Sequence, residues 1–181
     1  KKFAEVRFPR TLKKLSRTET RNGMAIRKIR KIGDSILNKQ TKEITEMTPR
    51  LASLIDDMLE TMYDADGVGL AAPQVGVLKQ LVVIDVSENA DEPMVLINPR
   101  IVETSGEQTG DEACLSVPGK SGKVTRPNFV KVQALDRNMQ PVEYTGTELL
   151  ARAMCHEIDH LSGVLYVERV EGELHDARAS E

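Results

Sequence analysis

The chain has 181 residues, 40% of them hydrophobic and 29% charged, which is the length of one domain with some tail and the balance of a folded protein. A net charge of −3 and six aromatics with no Trp leave little to stack on bases or neutralise phosphates, so DNA binding has weak support. No apolar run approaches the roughly 18 to 20 residues of a membrane-spanning helix, and no membrane role is expected. The only cysteines are Cys114 and Cys155, too few for a disulfide framework, which favours a reducing compartment.

Residues 1–23 hold eight Lys/Arg against two acidic residues, have no sustained apolar period and end in the turn dipeptide Asn22-Gly23. They read as a basic extension outside the fold, either a targeting arm or an appendage, and residues 24–181 as one domain. Thr48-Pro49 is an N-cap followed by proline at the first helical position. Leu51, Leu54, Ile55, Met58, Leu59 and Met62 then recur at helical spacing, which predicts a helix over about 49–65. The segment Gly67 to Gly76 reads as a turn. Leu81–Val86 and Met94–Ile97 read as strands, and Val130–Leu135 with Val142–Tyr144 as a hairpin around Asp136-Arg137-Asn138. A second helix is expected near Thr147–Ser162, stopped at Gly163. These elements make an α+β fold in which mixed or antiparallel strands pack around the second helix. Residues 167–181 carry no clear signal.

The second helix contains His156-Glu157-Ile158-Asp159-His160, an H-E-x-x-H. Histidines at i and i+4 share a helix face, so both imidazoles can reach one ion while Glu157 stands beside them, close enough to handle a water. Two ordinary histidines in a helix are the bland alternative. A catalytic site of this kind takes three protein ligands. Acidic candidates lie downstream at Glu168, Glu171 and Glu173, with His175, but not at metzincin spacing. Cys114 offers another solution, a thiolate joining two neutral imidazoles in a set suited to Zn or Fe(II).

Cys114 lies in Glu112-Ala113-Cys114-Leu115-Ser116, and upstream stands Gly67-Val68-Gly69-Leu70-Ala71-Ala72-Pro73-Gln74. With the H-E-x-x-H, and in this order, the three segments resemble the G-x-G-x-A-A-x-Q, E-G-C-L-S and H-E-x-D-H motifs of the peptide deformylases, bacterial and organellar type. The resemblance runs from about Met24 to Val170. It implies hydrolytic removal of the N-formyl group from the initiator methionine of nascent polypeptides, with release of formate. It further implies that Cys114, His156 and His160 hold one divalent metal, Fe(II) natively with Zn, Ni or Co accepted. Glu157 is then the general base, and Gln74 and the backbone N–H of Leu115 are oxyanion donors. The backbone at Val68 and Gly69 aligns the peptide, and Val68, Leu149 and Ala153 contribute the methionine pocket. For Leu149 a plain core position is the alternative.

Two positions depart from the motifs. Ala113 replaces the usual glycine, which matters only if that residue needs a positive φ; a negative φ is the favoured expectation. Cys155 replaces a common glutamine and reads as a small packed residue. Glu112 and Arg126 could pair to brace the cysteine segment, and Asp159 could orient a neighbour, with solvated charges as the alternative. Competing functions are a zinc peptidase with Glu168 or Glu171 as third ligand, and an inactive relative that binds nascent chains or the ribosome. The basic arm could dock on ribosomal RNA. A cytoplasmic bacterial enzyme is expected, or an organellar one if the arm is a transit segment.

Overall fold

The computed structural model describes residues 24–177, so the basic segment 1–23 lies outside the described residues. Helix α1 spans Pro49–Asp64; the Thr48 hydroxyl accepts the Leu51 N–H, and Pro49 starts the helix where no N–H is needed. Its stripe of Leu51, Leu54, Ile55, Met58 and Met62 is buried, with Leu59 partly so. Strands β1 (Gly69–Ala71), β2 (Leu81–Ile84) and β3 (Met94–Ser105) follow. Next come β4 (Gln108–Cys114), β5 (Val117–Arg126), β6 (Phe129–Leu135) and β7 (Pro141–Thr147), then helix α2 (Glu148–Leu161) and a short β8 (His175–Asp176).

Five strands form one antiparallel sheet in the order β1-β2-β3-β6-β7, and β4-β5-β8 form a second. Alternation along β2 explains why its Leu-Val-Val-Ile run is apolar throughout. Leu81 and Val83 pack with α1, whereas Val82 and Ile84 belong to the cluster that holds Ala151, Met154 and Cys155 of α2. The large sheet is therefore covered on both faces, by α1 on one and α2 on the other.

The α+β expectation and both helix positions hold, with four differences. Strand β3 runs on through Ser105, well past its apolar start, because its exposed second half stays paired with β6 across two register shifts. The second sheet has no clean apolar alternation in its sequence, so β4 and β5 were not anticipated. The glycine segment is a strand plus a 3₁₀ turn (Ala72–Val75), not a bare turn. Beyond α2 the chain makes a 3₁₀ turn at Tyr166–Glu168 and then β8.

Candidate active site

Helix α2 places His156, Glu157 and His160 in the interior, each at most 8% exposed. The Cys114 Sγ lies 3.3 Å from His160 Nε2, and ligand atoms of Cys114, His156 and His160 all fall within 4.8 Å of one another. Cys114 ends β4, and the ladder to β5 slips between Ala113 and Cys114; such a bulge re-aims a side chain. Ala113 is in register with Ser121 and is not among the residues of positive φ, so the alanine brings no left-handed backbone strain. The donors suit a soft divalent cation: a cysteine sulfur with two imidazoles, one of them fixed by its far nitrogen, and His160 Nδ1 buried without a hydrogen-bond partner among the described residues. No second group of three ligating residues occurs among the described residues. Glu168 is spent capping the Leu165 N–H at 2.9 Å, while Glu171, Glu173 and His175 are exposed.

Glu112 is the hub behind these ligands. Its carboxylate contacts His156 Nδ1 at 2.6 Å and accepts hydrogen bonds from Arg126 Nε and Nη2 (3.1 and 2.7 Å) and Arg152 Nη1 (2.8 Å). Arg126 also donates to Asp159 at 2.6 Å, and Asp159 accepts from Arg169. The pairing of Glu112 with Arg126 and the orienting contact of Asp159 are therefore present, and the solvated-charge alternative fails. Burial alone would push the Glu112 carboxyl up, but hydrogen bonds from His156 and Arg126 outweigh it and hold the group well below the usual carboxylate range.

Glu157 is buried with Oε2 unpartnered among the described residues, and burial pushes its carboxyl up to about 7. Gly69 makes room for it: a Cβ there would stand 2.8 Å from Glu157 Cγ and collide with its carboxylate oxygen. Gln74 is 1% exposed; its Oε1 accepts the Ala71 N–H, while Nε2 donates to Ser116 Oγ at 3.1 Å and reaches Cys114 Sγ at 3.5 Å. A cavity of about 540 Å³ opens onto this group, lined among others by Val68, Gly69, Gln74, Leu115, Leu149 and Ala153. All four residues expected to meet substrate, Val68, Gly69, Leu149 and Ala153, thus line the same cavity as Cys114, His156 and Glu157. Leu149 is 38% exposed at that cavity, which rules out the plain core position.

Sequence reasoning missed three parts of the site. Arg152 lies four residues before His156, so a cation on the buried ligand face was a readable signal. The segment Arg30–Ile32 braces the site from outside: Arg30 N–H donates to Gln74 O at 2.7 Å, Ile32 N–H to Ser116 O at 2.8 Å, and Lys31 Nζ to Leu115 O at 2.6 Å. Tyr166 stacks on His156, and nothing in the sequence pointed to it.

The sequence model of the family described as polypeptide deformylase matches residues 26–175. The chain belongs to that family. A peptide deformylase of Lachnoclostridium phytofermentans is 69% identical over 153 residues, which cover 84% of this chain and 94% of the relative. One from Agathobacter rectalis is 63% identical over 153 residues, with 84% and 95% covered. Among solved structures, the peptide deformylase of Legionella pneumophila superimposes with a TM-score of 0.79 at 48% identity, covering 81% of this chain and 87% of that one. The enzyme of Synechococcus elongatus in complex with actinonin gives 0.76 at 46% identity, covering 80% and 78%. The family is metal-dependent, and the cluster of Cys114, His156 and His160 is this chain's candidate metal-binding group.

Proposed function

We propose that this chain hydrolyses the N-formyl group from the N-terminal methionine of newly synthesised polypeptides and releases formate. The reading is carried by one cavity lined by Cys114, His156 and Glu157, where Glu157 Oε2 has no partner among the described residues and the ligand atoms of Cys114, His156 and, behind them, His160 lie within 4.8 Å of one another. Cys114, His156 and His160 would hold a single divalent ion, Fe(II) in the cell with Zn, Ni or Co as substitutes. When bound, the ion supplies Lewis acidity toward water and the formyl carbonyl.

Glu157 takes the proton from the attacking water and returns it to the leaving amine. The Leu115 N–H and the Gln74 amide serve the oxyanion that develops on the formyl oxygen. Gln74 has both Nε2 contacts on Ser116 and Cys114, so its service to the oxyanion requires one of them to be exchanged. The backbone of Val68 and Gly69 aligns the peptide, and Val68, Leu149 and Ala153 receive the methionine side chain. The same reading takes residues 24–181 as the catalytic unit and 1–23 as an extension. Its site of action is the bacterial cytoplasm, on nascent chains at the ribosome.

Exchange of Cys114→Ser separates this reading from a peptidase with an acidic third ligand. Equilibrium dialysis of the purified variant is expected to find far less than one metal per chain and no deformylation. Full metal retention by Cys114→Ser would overturn the assignment.

A further inference from the structure

Tyr166 is 1% exposed, follows α2 on its own 3₁₀ turn, and has no part in the chemistry above. Its ring stacks on the His156 imidazole with centroids 6.0 Å apart and planes at 27°. Its hydroxyl donates to the Lys120 carbonyl of β5 at 3.0 Å, and its body packs in the small cluster that contains Cys114, Val117 and Val124. One side chain thus touches the helix that bears two ligands and the sheet that bears the third.

A ligating imidazole must be fixed both along its plane and in its tilt. The Glu112 carboxylate at Nδ1 sets the in-plane direction of His156, but a hydrogen bond at the ring edge leaves tilt about that bond soft. A flat group against the ring face removes this freedom. His156 in turn meets His160 edge-on, with centroids 5.0 Å apart and planes at 73°, so a tilt of one ring alters its fit to the other.

We propose that Tyr166 is a positioning residue for the metal centre: its ring holds the tilt of His156, while its hydroxyl ties that ring to the sheet carrying Cys114. The inference rests on the metal-site reading given above.

The test compares Tyr166→Phe, which keeps the ring and drops the anchor, with Tyr166→Leu, which drops both. Each is loaded with Co(II), and three quantities are read: the absorption spectrum, the rate of metal release to a chelator, and the thermal midpoint. The Leu variant is expected to release Co(II) about 10-fold faster or more, with a changed ligand-field band and a lower kcat at unchanged KM. The Phe variant is expected to lose thermal stability yet release metal within about twofold of the wild-type rate, because the ring still stands against His156. If Tyr166→Leu does not fold, Tyr166→Met fills the space without an aromatic face and carries the same expectation. A folded Leu or Met variant with wild-type spectrum and release rate would overturn the proposal, as would a Phe variant that releases metal as fast as Leu. Failure of the wild-type protein to bind Co(II) would overturn the metal-site reading along with it.

Discussion

Glu157 has a place to stand because residue 69 lacks a side chain. The φ of Gly69 is not in the left-handed region, so the requirement is for space and not for backbone freedom. Gly69→Ala should therefore fold normally and displace the Glu157 carboxylate. Formate release is expected to fall by about 100-fold or more, the scale of a general base's contribution, with a thermal midpoint near wild type. An alanine variant of undiminished turnover would show that Glu157 does not act where it stands. The two-glycine segment reads from its sequence as a turn, and only the fold names Glu157 as the neighbour that needs its space. At Ala113 the question is the sign of φ, which follows from its pairing with Ser121 and from nothing in its own identity.

Among the elements, α2 was legible because a helix fixes which side chains share a face, and that period alone joined His156 to His160. The β4-β5 pair was not legible. Gln-Thr-Gly-Asp-Glu-Ala-Cys has no apolar alternation to mark it as a strand, since Glu112, its buried acid, is there to be ligated by cations. Arg126 is 5% exposed and bridges Glu112 on β4 to Asp159 on α2, so it welds the two ligand-bearing elements together. Arg126→Leu takes one cation from Glu112, which keeps Arg152 and His156, and from Asp159, which keeps Arg169, and should cost about 3 kcal/mol, the low end for a broken buried pair, in urea unfolding at pH 7. The sign of the pH dependence follows from Glu112. Its folded carboxyl sits below the ordinary 4.5, so the stabilisation is complete above that value and is lost as pH falls toward the folded one. The deficit of the variant should accordingly shrink in acid. A deficit that stayed constant down to acid pH would assign the loss to packing of the arginine stem instead.

For the molecule as a whole, the large sheet between α1 and α2 supplies the buried core, and the second sheet brings Cys114 to the far side of α2. The site is thus a junction of two sheets on one helix, braced at its mouth by the Arg30–Ile32 segment. This division explains what the sequence reveals: helical and strand periods mark the core, while the junction is made by polar partners far apart in the chain. Glu112 and Arg152 stand 40 residues apart, as do Gln74 and Cys114. On the proposed reading the junction performs deformylation with Glu157 as its base. This is tested most directly by formate release from a formyl-Met dipeptide, using anaerobically purified, Fe(II)-loaded protein beside a Glu157→Ala control. The expected outcome is turnover by the wild-type chain that the control loses while still holding one metal. Absence of turnover from wild-type protein with one bound metal per chain, or an equally active control, would contradict it.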